Sequence, residues 1–230
     1  MKNIISKQIA KYLFYYLVTV LFSVCLGYIV LNVSFIKDFD NYFYVLINSL
    51  AHNPLTTTII WPFDLWFFPY KQIFFFPAYF YFIFAGFLLY MGICKRSMFS
   101  WALSSLVLGF ILAALLLFID WHFIFRHRPF EFLPSTIDNT SREILMKFPS
   151  YPSGHVRDST LVSTLISSFI PQMKWVMILF VVFIAFTRVY TGAHYPTDVL
   201  AGVLFGYLVG IITLNFLKSI QKILHERKEK

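Results

Sequence analysis

The chain has 230 residues, of which 59% are apolar, 21% are aromatic and only 13% are charged. A soluble domain averages about 25% charged residues, so this composition excludes a soluble globular fold and implies an integral membrane protein of one domain, 1–230. The net charge of +8 does not point to nucleic acid, because the basic residues gather at the termini and in short connections, where membrane topology accounts for them.

A basic lead-in with Lys2, Lys7 and Lys11 and no acid precedes an apolar run at 12–33. That run is long enough to cross about 30 Å of hydrocarbon as a helix. No small-residue cleavage site follows it, so it reads as a retained span rather than a signal peptide. The segment 37–71 is mixed and holds Asp38, Asp40, His52 and Asp64. Phe39, Phe43, Leu46 and Leu50 recur there at helical spacing, which predicts a short helix lying on the membrane surface. Trp61, Trp66, Phe67, Phe68 and Tyr70 read as aromatic anchors at the interface. Further spans are predicted at 74–94, at 100–119 with Asp120 as its end, at 155–171, at 175–190 and at 195–217. A polar section, 121–153, separates the third span from the fourth, and a basic tail begins at Lys218. The expectation is an all-α, six-transmembrane-helix bundle with a short interfacial helix between spans one and two. Cys25 and Cys94 each fall inside an apolar run, which argues against a disulfide framework or a metal site and for inert packing residues.

Six spans put both termini on one side, together with Lys95, Arg96 and Lys174. That side then carries eleven of the 19 Lys and Arg residues, and by the positive-inside rule it is cytoplasmic. Arg128, His155, Arg188 and His194 consequently all fall at the outer ends of spans three to six.

These four residues sit in three short stretches with chemical meaning. In the stretch from Thr187 to Asp198, an arginine, a histidine and an aspartate stand at fixed intervals between two apolar runs. If Pro196 opens a helix, as proline in a first turn does, His194 sits just before it and Asp198 in its first turn. The carboxylate then reaches one imidazole nitrogen, fixes the tautomer and leaves the other nitrogen to attack. Asp198 would equally serve as a simple helix-start acid. Arg188 supplies a fork of donors suited to phosphate. Pro152-Ser153-Gly154-His155 opens another apolar run; small residues there let backbone N–H groups approach an anion, and His155 is placed to give a proton to a leaving group. Arg128-Pro129 adds a second guanidinium.

Read together as R-P, P-S-G-H and T-R-x5-H-x3-D, the three stretches resemble the type 2 phosphatidic acid phosphatase (PAP2) superfamily, in its membrane lipid phosphatase branch. The likeness is carried by residues 121–198 and departs from the pattern at Trp121, where the family has a lysine, and mildly at Thr187. Arg126 and Arg157 are the cations in sequence that could replace that lysine. Arg157 and Asp158 also read as a local pair at a helix start. The resemblance implies a metal-independent phosphatase without cofactors, acting on a lipid phosphate monoester or diphosphate at the outer face of the cell (inner) membrane. His194 would be the nucleophile of a phosphohistidine intermediate, Asp198 its orienting acid and His155 the proton donor. Arg128, Arg188, Arg126 and the backbone at Ser153 and Gly154 would hold the phosphate. The expected partners are the lipid substrate and the bilayer, not nucleic acid. A lipid phosphotransferase is the close variant. A non-catalytic scaffold or transporter is the rival, although the spans hold almost no ionisable residues for a translocation path.

Overall fold

The computed structural model describes residues 2–52, 78–135, 137, 143 and 145–228. Among them lie seven α-helices: α1 (Lys2–Asn32), α2 (Ser34–Asn48), α3 (Ala78–Cys94), α4 (Phe99–Phe123), α5 (Gly154–Phe169), α6 (Lys174–Tyr190) and α7 (Pro196–Lys228). The predicted aromatic anchors from Trp61 to Tyr70 fall outside the described residues. The chain forms an all-helical, multi-pass membrane bundle. Four segments have the length and hydropathy to cross a bilayer: Ile4–Asn32, Arg96–Phe123, Pro171–Tyr190 and Pro196–Glu226. Leu13, Phe14, Leu21, Phe118, Leu179 and Val182 point outward from them, as lipid-facing residues do.

α3 and α5 fall short of that measure. α5 has 16 residues, about 24 Å of helix, and its inner turns hold Ser159, Thr160, Ser163 and Thr164 in place of aliphatic residues. It tolerates them because neighbouring helices enclose it; Val156, Leu161, Val162 and Leu165 are all buried. Thr160 and Thr164 donate their hydroxyls to the carbonyls of Val156 and Thr160, each at 2.8 Å.

The most extensive helix pairing joins α5 to α7. Gly202, Gly206 and Gly210 form a stripe on α7 at i, i+4 and i+8 that allows the two backbones to touch. A Cβ on Gly202 would come within 2.8 Å of the Ser153 carbonyl, and one on Gly206 would run into the Arg157 carbonyl. Small residues at this spacing are how membrane helices approach closely. The effect is to fix the start of α5 against the start of α7.

Asp120 does not end its span, contrary to expectation. α4 continues to Phe123, and Asp120 is fully buried, accepting a 2.7 Å hydrogen bond from Ser23 Oγ on α1. A carboxyl group supplied with a partner by the next helix has no need of the aqueous rim. Both cysteines are free and lie on exposed flanks of the bundle rather than in its packing.

In the segment where an interfacial helix is expected, the chain forms α2, with an unusual distribution of side chains. Phe35, Phe39, Tyr42, Val45 and Leu46 are exposed, whereas Asp40, Tyr44 and Asn48 are buried against the protein. Its apolar side faces outward, and its polar stripe at i, i+4 and i+8 faces the bundle. Asn48 donates to the Tyr190 carbonyl at 2.7 Å, and Tyr44 donates to the Pro134 carbonyl at 2.5 Å. This stripe docks α2 onto the end of the bundle where α6 turns into α7.

Candidate active site

Pro196 is the first residue of α7, with Asp198 in its first turn, so the local geometry read from the sequence is the observed one. The turn before it depends on Gly192, whose φ of +91° lies in the left-handed region that glycine enters without steric cost. A side chain there would collide with Ser135 and with the Tyr44 hydroxyl. The Arg188 carbonyl accepts the N–H groups of Ala193 and His194 at 3.1 and 3.2 Å, which locks the histidine's backbone to the end of α6.

His194 is buried, 4% exposed. Its Nδ1 lies 2.8 Å from the Ser150 carbonyl oxygen, which only accepts, so Nδ1 carries the proton. Its Nε2 faces Arg128 Nη1 at 3.2 Å, which only donates, so Nε2 presents a lone pair. Burial first and then the Arg128 charge lower the imidazole to about 4, with Asp198 opposing them. His194 is therefore neutral at physiological pH, with an unprotonated Nε2.

Asp198 does not make the direct bond expected of it. Its Oδ2 stands 3.9 Å from His194 Nδ1, because its oxygens are already engaged. Oδ2 accepts from Ser150 Oγ at 2.6 Å and from the Tyr195 N–H at 3.0 Å, and Oδ1 accepts from Arg126 Nη1 at 2.5 Å. Ser150 thus mediates, with its carbonyl on the imidazole and its hydroxyl on the carboxylate. It went unnoticed in the sequence, where a serine beside Pro149 looks like an ordinary turn residue.

Arg128 is buried and aimed by carbonyls. Its Nε donates to Leu145 and Phe148 at 3.1 Å, Nη1 to Ala193 at 3.0 Å and Nη2 to Pro149 at 3.3 Å. Burial pushes it down to about 10, with Arg188 adding to the effect and Asp198 and Glu131 opposing it; it remains a cation. Glu131 closes the short turn after Arg128 by accepting the Arg128 N–H at 2.8 Å. Arg188 is steered by Thr187, whose Oγ1 accepts from its Nε at 3.2 Å. His155 is half-buried in the first turn of α5 and lies within electrostatic reach of Arg188, His194, Arg128 and Arg157. Arg128, His155, Arg188 and His194 therefore share one site at one end of the bundle.

Arg126 belongs elsewhere than expected. Instead of facing a phosphate site, its two terminal nitrogens bind carboxylates, Nη1 at Asp198 and Nη2 at Asp40, both at 2.5 Å. Its plane lies 4.2 Å from the centre of the Tyr195 ring. Arg157 pairs with Asp158 through Nε at 2.8 Å and Nη2 at 2.6 Å, as the sequence suggested. Trp121, in the position of the family lysine, packs on Phe148 with ring centres 5.0 Å apart. The Ser153 N–H, expected to meet phosphate, donates to the Asp198 carbonyl at 3.0 Å. Its hydroxyl is buried with no hydrogen-bond partner among the described residues, and Gly154 opens α5, where the first N–H groups lack intrahelical acceptors.

Known proteins share the family and the fold. The chain is 30% identical over 131 residues to the undecaprenyl-diphosphatase of Sulfolobus acidocaldarius, covering 52% of this chain and 60% of that one. It is 39% identical over 69 residues to the lipid A 1-phosphatase of Rhizobium johnstonii, covering 29% and 27%. The aligned segments thus span less than two thirds of either relative. LpxE of Aquifex aeolicus superposes with a TM-score of 0.59 at 24% identity, over 77% of this chain and 95% of that one. The first transmembrane PAP2 type phosphatidylglycerolphosphate phosphatase from Bacillus subtilis does so with a TM-score of 0.59 at 20% identity, over 90% and 98%. At these identities the two structures speak for a shared fold. The family model of the PAP2 superfamily matches residues 101–222, more than half of the sequence, and the chain belongs to that superfamily.

Proposed function

We propose that the protein is a membrane phosphatase that hydrolyses a lipid phosphate monoester or diphosphate through a phosphohistidine intermediate. The observation that carries this reading is the state of His194: neutral, with Nδ1–H held by the Ser150 carbonyl and Nε2 turned to a buried arginine. Nε2 attacks phosphorus as the P–O bond to the leaving group breaks, and His155 gives that oxygen its proton. An arriving phosphate dianion offsets the arginines around His155 and so favours its protonated form. Arg128, Arg188, the Ser153 hydroxyl and the start of α5 meet the equatorial oxygens, where charge sits during transfer. Water, deprotonated by His155, then attacks phosphorus, the P–N bond breaks and phosphate leaves. No step uses a metal, so a chelator leaves the rate unchanged.

The site lies at one end of an apolar bundle, which suits an amphiphilic substrate whose tail remains in the bilayer. Six spans, counting α3 and α5, with both termini cytoplasmic, put that end at the extracytoplasmic face of the cell (inner) membrane. Phosphate release from a panel of lipid phosphates and diphosphates by purified protein tests the reading. His194→Ala abolishes release while the protein stays folded. Asp198→Asn falls between that variant and wild type, and His155→Ala retains slow turnover only of substrates with acidic leaving groups, such as an aryl phosphate. A His194→Ala protein as active as wild type would falsify the mechanism.

A further inference from the structure

We propose that Asp40, on the interfacial helix α2, is a positioning residue for the candidate nucleophile, acting through Arg126 on Asp198 and Ser150. This inference rests on the proposed role of His194 and adds to the site a residue from outside all three motifs. Asp40 is fully buried and makes three contacts, two with Thr197 at the start of α7 and one with Arg126. Oδ1 accepts the Thr197 N–H at 2.9 Å, while Oδ2 accepts Thr197 Oγ1 and Arg126 Nη2, both at 2.5 Å. Arg126 spans the gap, with its other terminal nitrogen on Asp198 Oδ1 and also on Thr197 Oγ1 at 2.9 Å. The chain of contacts then runs from Asp198 Oδ2 to Ser150 Oγ, and from the Ser150 carbonyl to His194 Nδ1. The Arg126 backbone joins it too, its carbonyl accepting the Ser150 N–H at 2.8 Å.

Charge balance explains why the chain needs its first link. Arg126 is one cation between two buried carboxylates, and a guanidinium held at both ends has a single orientation, whereas one held at a single end swings about that bond. Without Asp40, Arg126 is free to follow Asp198 or to leave it, and the Asp198 carboxylate loses the fixed geometry that aims Ser150. Tyr195 beneath the guanidinium restrains its plane but not its rotation within that plane. The rest of the α2 stripe, Tyr44 and Asn48, anchors the helix to the same corner, so a helix lying at the membrane surface becomes part of the frame of the site.

Asp40→Asn targets the effect, because the amide keeps an oxygen for the Thr197 N–H and changes the oxygen that accepts from Arg126 and the Thr197 hydroxyl. In full-length protein with labelled histidines, the His194 imidazole of wild type is a single Nδ1–H tautomer at neutral pH, assigned by its absence in His194→Gln. In Asp40→Asn that signal gives way to a mixture of tautomers, while turnover of short-chain phosphatidic acid falls about tenfold or more with KM within about twofold. Asp40→Asn combined with Arg126→Gln is no slower than the worse single variant, since both cut one chain. Should Asp40→Asn fail to fold, Arg126→Lys, which keeps the charge and loses the fork, replaces it with the same expected changes. An unchanged His194 signal in the folded variant overturns the proposal, whether or not turnover declines. If wild type releases no phosphate from any lipid, the phosphatase reading fails, and the His194 signal alone decides the role of Asp40.

Discussion

At the scale of single residues, the candidate site centres on a histidine, His194, that is kept neutral by burial and by a neighbouring arginine. With the imidazole lowered to about 4 against roughly 6.5 in an unfolded chain, the sign is definite. The unfolded state takes up its proton first as pH falls, so this residue's contribution to stability is present above about 6.5 and is lost progressively down to about 4. Under the proposed mechanism, the same shift keeps the attacking nitrogen unprotonated in mild acid. A profile of kcat/KM against pH, measured on an aryl phosphate, has its His194 limb near 4, and a limb at the ordinary histidine value would assign the loss to another group. Arg126 shows how a residue's surroundings decide its role. In sequence it is a cation two places from a motif arginine, whereas in the fold it lies between Asp40 and Asp198 and holds a carboxylate in place.

Two helices, α5 and α7, position the two motif histidines, and their contact depends on the absence of side chains. The Gly202, Gly206 and Gly210 stripe brings α7 onto the first turns of α5, so the separation of His155 from His194 is set by backbone packing. Gly206→Ala forces the added methyl into the Arg157 carbonyl, and such overpacking costs about 1–3 kcal/mol. Both a lower melting temperature and a lower kcat are expected, because the two histidines move apart together with their helices. Gly86→Ala is the matched control: nothing lies within 4 Å of the new methyl, and alanine favours helix over glycine, so stability is unchanged or slightly improved. Equal losses in the two variants would mean that the stripe has no special role. α2 offers a second lesson at this scale. Its aromatic spacing is legible as an interfacial helix, but the same heptad-like window carries Asp40, Tyr44 and Asn48 at i, i+4 and i+8, a polar stripe on an otherwise apolar helix that marks the protein-facing side.

For the molecule as a whole, the distribution of basic residues and the shared location of the motif residues make one claim, that the site faces away from the cytoplasm. Membrane-impermeant maleimide tests it in cells, with Cys25 and Cys94 replaced by serine. Phe132→Cys, at a position 69% exposed close to the site, labels from outside, and Lys222→Cys in the tail labels only after the membrane is opened. The reverse pattern would invert the topology and leave the site chemistry intact.

Membrane character, the approximate helices and the gathering of Arg128, His155, Arg188 and His194 were determined by the sequence alone. Hydropathy, helical period and motif spacing report each segment's own surroundings, and a membrane aligns the segment ends without further information. Partner choice belonged to the tertiary structure. Arg126 meets Asp40 across 86 positions and Thr197 meets Asp40 across 157; no local pattern encodes which distant carboxylate a buried guanidinium will find. The Ser150 carbonyl holds the imidazole because two loops pack side by side, and a main-chain acceptor has no signature in the identity of the residue that carries it.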